Sequence, residues 1–348
     1  MRGELQGTTA KDVLHAFERW PTWMWANWEI VGFAEWLRNY NDGKPDDEKV
    51  GFYGLDVYSL WESLEAIIGY LKEHDPSALP AAERAFRCFE PYGEDPQEYA
   101  QATALVPTSC QNDVLDLLTT IRRKAAQQTG TSVAVFNAVM NAEVVAGAET
   151  YYRTMIYGGA TSWNVRDRHM TETLNRLVRF FGDDTKAIVW EHNTHIGDAR
   201  YTDMAAAGMF NVGELVREEH ASEGVVLAGF GSYEGTVIAG RAWDAPMQVM
   251  DVPPARIGSW EQALHEIGAE NRLLLFRRPA ETGSALAVPR GQRAIGVVYQ
   301  PEYEMGNYVP TVLPLRYDAF MYLDKTEALH PLHITPEPVP PQMYPWGL

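Results

Sequence analysis

The residues best suited to chemistry lie in one short stretch, residues 188–200, which reads IVWEHNTHIGDAR. Two histidines, His192 and His195, follow an apolar run that ends at Glu191. Because imidazole titrates near neutral pH, we interpret the pair as acid or base groups that can take or return a proton. Two alternatives stay open. The histidines can serve as metal ligands together with distant carboxylates, or they can hydrogen-bond carbonyl groups without a chemical role.

A second stretch with chemical potential is WNVRDRHM, residues 163–170. Asp167 is predicted to open a helix, as an N-cap or first-turn residue. Arg166 would then direct a planar set of donors at a carboxylate or a developing oxyanion, although a simple ion pair with a helix-face acid explains it equally well. Glu191 and Asp198 are acids that belong either to the site or to solvated turns.

These groups must be positioned by strands, and short apolar runs predict where the strands lie. Residues 50–57 (VGFYGLDV) and 186–190 (KAIVW) are predicted as buried strands. Further strands are predicted at residues 224–231, 246–253 and 293–299. Because helical patterns alternate with these runs, we predict an α/β fold with a mostly parallel sheet. Ligands bind beyond the carboxyl ends of such strands, which is where Asp56 and the histidines would lie.

Helical spacing predicts the elements around that sheet. The predicted helices cover residues 59–74, 113–128, 132–155 and 167–181, and a short helix is predicted to open with the capping box SWEQ at residues 259–262. Residues 11–41 are also helical in pattern, with an interruption at Pro21. Within them Trp25, Trp28 and Trp36 fall near one helical face, so we expect core or pocket-wall positions.

Composition excludes several classes of function. The formal net charge of −18 repels phosphate backbones, so we expect no nucleic-acid partner. No apolar run is long enough to span a membrane, and no glycine-rich phosphate loop predicts a nucleotide, so we expect no membrane association and no cofactor. The two cysteines, Cys88 and Cys110, lack scaffold spacing, which favours a reducing, cytoplasmic location.

Several segments, taken in order along nearly the whole chain, resemble the erythromycin esterase family. The segments that carry the resemblance are WPTWMWAN (20–27), GFYGLDVYSL (51–60), SWNVRDRHM (162–170), WEHNTHIGDAR (190–200), NVGELVRE (211–218), GFGSYEGTV (229–237), PPARIGSWEQ (253–262) and YDAF (317–320). The resemblance implies a three-layer α/β/α fold with additional helices. It also implies hydrolysis of macrolide lactones by a histidine-activated water without an obligatory metal. The family's H-N-x-H motif falls on His192, Asn193 and His195.

One family motif has no counterpart in this chain: G-E-x-x-H-G, whose histidine is the family's proposed base. We therefore expect residues 1–348 to form a single domain that is truncated at its N-terminus relative to the family, with a helical subregion at about residues 59–155. Loss of leading strands exposes unpaired backbone, so we also expect a homo-oligomer or an altered sheet edge. Two alternatives stay open. If the sequence is part of a longer protein that carries the motif, that protein's histidine is the expected base, and His192 and His195 orient the water or stabilise the oxyanion; if the motif is truly absent, His192 would take over as base, or the chain would only bind.

The sequence thus predicts a carboxylic-ester hydrolase whose partner is a small-molecule ester, with a macrolide as the best substrate. The alternative is a catalytically impaired protein of the same fold that binds a small molecule, a metal or haem. Catalytic roles are assigned to His192, His195 and Arg166, and no metal is assigned. The residues expected to contact substrate are Asp56, Trp25, Asn164, Asn193 and Tyr233.

Overall fold

The computed structural model describes residues 8–46, 48–93, 96–106, 109–127, 132–182, 184–276 and 285–333. The N-terminal part of the described chain is helical. Its helices are α1 (Ala10–His15), α2 (Trp28–Asn41), α3 (Leu60–His74), α4 (Leu79–Phe89), α5 (Pro96–Leu105), α6 (Gln111–Ala126), α7 (Val133–Met155) and α8 (Gly159–Phe181). The helices predicted at residues 59–74, 113–128 and 132–155 are confirmed as α3, α6 and α7. Their ends have local causes; for example, the Ser132 hydroxyl accepts the Val135 N–H at the start of α7.

Helices α3, α4, α6 and α7 enclose the largest hydrophobic core. Leu64 of α3, Leu117 of α6 and Val145 of α7 are fully buried in it. Cys88 of α4 and Cys110, the residue before α6, are joined by a disulfide with a Cα–Cα distance of 5.7 Å. The spacing of the cysteines gave no sign of this bond, because their proximity depends on how α4 packs on α6. Cysteine usage therefore no longer favours a reducing compartment.

The C-terminal part carries the sheet and shorter helices. The helices are α9 (Asn193–Ile196), α10 (Val212–Glu219), α11 (Trp260–Ile267) and α12 (Leu313–Arg316). The strands are β1 (Ala228–Gly240), β2 (Met247–Val252), β3 (Arg272–Leu275), β4 (Arg290–Arg293), β5 (Tyr308–Thr311) and β6 (Ala319–Thr326). Ser259 caps α11 as predicted, its hydroxyl accepting the Gln262 N–H.

The sheet is mixed. Four strands lie in the order β2-β1-β6-β3, and β4 pairs with β5 in a second, two-stranded sheet. Strands β1 and β6 are parallel, with Ala228 opposite Ala319, whereas β1–β2, β3–β6 and β4–β5 are antiparallel. The α/β class is thus confirmed, but the prediction of a mostly parallel sheet is not, because one pairing among the described strands is parallel.

Three strand predictions near the expected site fail. Residues 50–57 and 186–190 form no strand in the described chain, and Ile188 is 98% exposed. An apolar run indicates a strand only if partner strands bury it, and neither run has one here. In residues 293–299 only Arg293 belongs to a strand. The predictions at residues 224–231 and 246–253 are confirmed by the start of β1 and by β2.

Two details of the helices differ from the sequence predictions. Helix α8 begins at Gly159, so Asp167 lies inside the helix and is fully buried rather than serving as an N-cap. Trp28 and Trp36 are 51% and 57% exposed, because α2 turns both away from its buried side. None of the helices in the described ranges combines the length and apolar character that a bilayer crossing requires.

Candidate active site

The centre of the candidate site is a histidine held by a buried carboxylate. His195 in α9 places its Nδ1 2.9 Å from Asp167 Oδ1 and 3.1 Å from Oδ2, and Asp167 comes from α8. An ionised carboxylate only accepts hydrogen bonds, so we assign the proton of the neutral imidazole to Nδ1. This assignment leaves Nε2 as the nitrogen that carries the basic lone pair. His195 can therefore act as a base, with Asp167 fixing its tautomer and stabilising the imidazolium that forms.

The ring of His195 is fixed on other sides as well. Trp163 stacks on it, with ring centroids 4.5 Å apart and an interplanar angle of 4°. Asn211, the N-cap of α10, accepts the Glu214 N–H and donates its amide to the carbonyl of Thr194 at 2.7 Å and to the carbonyl of Gly197. Asp167 in turn accepts the backbone N–H at the start of α10. Helices α8, α9 and α10 thus hold the imidazole in one orientation.

Arg166 lies on the free side of His195. Its Nε and Nη2 donate to Asp56 at 2.9 and 2.6 Å, a bidentate ion pair, and its Nη1 lies 3.5 Å from His195 Nε2. Burial would raise the pKa of Asp56, but the charge and hydrogen bonds of Arg166 outweigh it and lower the pKa. Because 3.5 Å is long for a hydrogen bond, Nε2 can still accept a proton from a bound water. The structure thus brings Asp56, Arg166 and His195 together, and their catalytic and substrate-binding roles stay predictions.

His192 occupies a different environment. Its Nε2 donates to the carbonyl of Ile295 at 2.9 Å, while its Nδ1 faces the hydroxyl and the backbone N–H of Thr194 at 2.9 and 3.3 Å. Burial by the surrounding protein atoms, and then the charge of His195, lower the pKa of His192. The residue is nevertheless exposed to solvent, which limits the shift. With both nitrogens engaged, the ring caps α9 and shapes the loop that carries His195.

The two predicted asparagines bond to backbone groups. Asn193 donates to the carbonyl of Phe230 at 2.6 Å and accepts its N–H at 3.0 Å, which ties α9 to β1. Asn164 donates to the carbonyl of Gly208 at 2.9 Å and accepts the N–H of Phe210 at 3.1 Å. Asn193 thus links α9 to β1, and Asn164 links α8 to the segment before α10.

Tyr233 and Trp25 lie in other aromatic groups. The ring of Tyr233 stacks on His265 of α11, with centroids 3.7 Å apart, and packs against the core around Trp260. Trp25 contacts Phe52 and Trp190 edge-on, with centroids 5.9 and 5.8 Å apart. Trp190 lies two residues before His192 in the chain, so Trp25, Phe52 and Trp190 form an aromatic surface close in sequence to the H-N-x-H motif.

Sequence reasoning assigned no role to Asp167 beyond helix capping and left Glu191 undecided. Both oxygens of the Glu191 carboxyl are buried without a hydrogen-bond partner in the described residues. Burial, and then the charges of Asp167 and Asp56, raise the pKa of Glu191 to about 8. A signal for Glu191 was present, since it precedes the H-N-x-H motif directly. Across the described ranges, no group of three or more His, Cys, Asp or Glu side chains is arranged to hold a metal ion.

Comparison with known proteins gives one family and several similar folds. The profile of the erythromycin esterase family matches residues 2–326 of the 348. A succinoglycan biosynthesis protein is 19% identical, with a TM-score of 0.68 over 88% of this chain and 72% of its own. A protein from Bacillus cereus is 18% identical, with a TM-score of 0.73 over 90% and 74%. A mutant of the erythromycin esterase EreC in its open conformation is 17% identical, with a TM-score of 0.61 over 85% and 72%.

Proposed function

The chain belongs to the erythromycin esterase family, and on that premise we propose that it is a hydrolase of carboxylic esters. The observation that carries the proposal is the Asp167–His195 pair, in which a fully buried carboxylate leaves Nε2 as the basic nitrogen. Such a pair is the arrangement that general base catalysis requires. His195, rather than His192, is the base in this proposal, because both nitrogens of His192 are already engaged with Thr194 and Ile295.

The proposed reaction is a direct attack of water. His195 Nε2 takes one proton from a water molecule, and the water oxygen forms a bond to the ester carbonyl carbon. The carbonyl oxygen becomes an oxyanion, and Arg166 Nη1, which lies 3.5 Å from Nε2, supplies a positive donor beside it. The bond to the alcohol oxygen then breaks, and that oxygen takes the proton held by His195, so that one ester and one water give an acid and an alcohol.

A macrolide lactone is the substrate we propose within this class. Trp190 and Phe52 are 58% and 42% exposed and form, with Trp25, an aromatic surface that suits a bulky apolar ring. The net charge of −18 attracts a cationic substrate. Both features support a large, apolar, positively charged ester over a small anionic one.

An ester panel tests the proposal. The purified chain is incubated with an aryl ester, an aliphatic lactone and erythromycin, and products are followed by mass spectrometry for the gain of one water. We expect His195→Asn to lower kcat by about 10²–10⁴-fold, the usual contribution of a general base. His74→Asn, which alters an exposed histidine of α3, is the matched control. Binding of erythromycin without product in the unaltered chain would instead support a non-catalytic binding protein.

A further inference from the structure

Tyr58 lies against Arg166 of the candidate site, and no step of the proposed reaction uses it. The Arg166 Cζ lies over the Tyr58 ring, 4.9 Å from the ring centroid, and the Arg166 side chain is only 22% exposed. A guanidinium over an aromatic face is attracted by the quadrupole of the ring, and more strongly when the cation is shielded from water. Tyr58 is therefore a second partner of Arg166 beside Asp56, which lies two residues earlier in the chain.

The ion pair with Asp56 fixes only one edge of the Arg166 guanidinium. Along this edge Nε and Nη2 donate to the carboxylate oxygens at 2.9 and 2.6 Å. Rotation about the edge bends these two hydrogen bonds little, but it moves Nη1, which lies 3.5 Å from His195 Nε2. Because the Tyr58 ring attracts the guanidinium, it opposes that rotation. The direction of Nη1 thus depends on the ring as well as on the carboxylate.

Tyr58 is itself held by its surroundings. Its carbonyl accepts a hydrogen bond from the guanidinium of Arg19, and its hydroxyl lies 3.3 Å from the hydroxyl of Tyr151 in α7. The two tyrosine rings meet edge-on, with centroids 5.7 Å apart. Burial raises the pKa of Tyr151 to about 12, against the charge of Arg166. The phenol of Tyr151 is therefore neutral near pH 7 and adds no negative charge that would compete with a substrate for Arg166.

We propose that Tyr58 is a positioning residue that keeps Arg166 Nη1 directed at the developing oxyanion; this inference rests on the proposed ester hydrolysis. A donor stabilises an oxyanion well only over a narrow range of distances and angles, so a displaced Nη1 contributes less. The carbonyl oxygen of the bound ester carries less negative charge than the tetrahedral intermediate. Removal of the ring therefore weakens the binding of an anionic mimic of that intermediate more than the binding of a neutral analogue.

Titration calorimetry with two ligands tests the proposal without turnover. One ligand is an alkyl phosphonate, whose anionic phosphorus centre mimics the tetrahedral intermediate, and the other is the matching neutral amide. We expect Tyr58→Leu to raise the Kd of the phosphonate by about 5–30-fold and to change the Kd of the amide by less than about twofold. Tyr58→Phe, which keeps the ring, should change either Kd by less than about twofold.

Tyr70→Leu is the matched control, because Tyr70 of α3 is partly buried against the same helical core as Tyr58. It should leave both dissociation constants unchanged. An unchanged Kd of the phosphonate in Tyr58→Leu, or equal weakening of the phosphonate and the amide, would overturn the proposal. Weakening in Tyr58→Phe as large as that in Tyr58→Leu would overturn it too.

A second measurement keeps the shape of the side chain and does not depend on how the leucine variant folds. Phenylalanines with one, two or three ring fluorines, placed at position 58, withdraw electron density from the ring face. We expect the Kd of the phosphonate to rise with each fluorine, by about threefold or more at three fluorines. A flat series would overturn the role of the ring face, because purely steric support does not respond to fluorine.

Failure of the proposed function gives a different result from failure of this inference. If the unaltered chain hydrolyses no ester, the proposed function fails. If it also binds no phosphonate, the positioning role of Tyr58 fails with it, whereas phosphonate binding that depends on the Tyr58 ring would retain that role.

Discussion

Replacing Asp167 with asparagine is the perturbation that most sharply separates a catalytic dyad from a structural hydrogen bond. Both carboxylate oxygens lie within 3.1 Å of His195 Nδ1, and Oδ1 also accepts the Val212 N–H. In the variant an N–H₂ group takes the place of one oxygen and faces Nδ1. The imidazole then favours the tautomer with its proton on Nε2, pointing toward Arg166. An Nε2 that already carries a proton cannot act as the base.

The expected loss in kcat depends on losing the correct tautomer of His195 while its orientation is kept. In the serine protease triad, the same change lowers kcat by about 10⁴ while the geometry survives. Here Trp163 still stacks on the ring and Asn211 still holds the loop, so the orientation of His195 is retained. We expect kcat to fall by about 10³–10⁴-fold, together with a loss of about 1.5–3 kcal/mol in the free energy of unfolding from the weakened charge-assisted hydrogen bonds.

The assay is the initial rate of alkyl ester hydrolysis in a pH-stat, paired with urea unfolding of each protein. Asp116→Asn is the matched control, because Asp116 forms an exposed ion pair with Arg84 and should affect neither quantity appreciably. If Asp167→Asn keeps kcat within about threefold of the unaltered protein while it lowers stability, Asp167 is structural and the dyad has no catalytic role.

Three further predictions concern stability. A Cβ at Gly213 would overlap the backbone carbonyl of Ile196, so Gly213→Ala should lower the free energy of unfolding in urea by about 1–3 kcal/mol. Nothing lies within 4 Å of a Cβ at Gly69 in α3, so Gly69→Ala should raise it by about 0.5–1 kcal/mol. Equal effects of the two substitutions would contradict this. Because the folded pKa of Asp56 lies below its unfolded value, the pair with Arg166 stabilises the fold above the unfolded pKa of about 3.9 and is lost as the pH falls through the folded pKa, so Asp56→Asn should flatten the acid limb of the melting temperature against pH. Reducing the disulfide between α4 and α6, which closes a 22-residue separation, should lower the free energy of unfolding by about 3 kcal/mol, and an unchanged melting temperature would argue against a formed bond.

The parts of the fold that the sequence predicted are those with local causes. Helices α3, α6 and α7 follow from the 3.6-residue spacing of apolar residues, and α11 starts at Ser259 because its hydroxyl caps the helix. The start of α8 was misplaced because Arg166 and Asp167 form a plausible first turn by residue type. The added turns from Gly159 are visible only in the structure.

Strands depend on partners that lie elsewhere in the chain. The apolar run around Ile188 has the composition of a buried strand, yet no described strand pairs with it and its side chain is almost fully exposed. Strand β2, which has a similar composition, is confirmed because β1 lies beside it with Val252 opposite Gly235. Composition therefore predicted a strand for both runs. Only the run that has a neighbouring strand, β2, forms one.

In the candidate site, too, residue types were predictable from the sequence, whereas contacts between distant residues were not. His195 and Arg166 were recognisable by residue type and by the family motif, and the structure places them 3.5 Å apart. The different environments of His192 and His195 were not predictable, because they depend on Ile295 and Asp167, which are distant in sequence. The raised pKa of Glu191 depends first on burial of its oxygens, which no local pattern encodes.

The position of the proton on the His195 ring tests the proposed Asp167–His195 dyad most directly. Nitrogen-15 NMR of protein labelled at histidine, assigned with His195→Asn, distinguishes the two tautomers without any need for turnover. We predict that the neutral form of the His195 ring carries its proton on Nδ1, shared with Asp167, and leaves Nε2 unprotonated. A proton on Nε2 and a bare Nδ1 would contradict it, because the ring would then have no basic nitrogen on the side of Arg166.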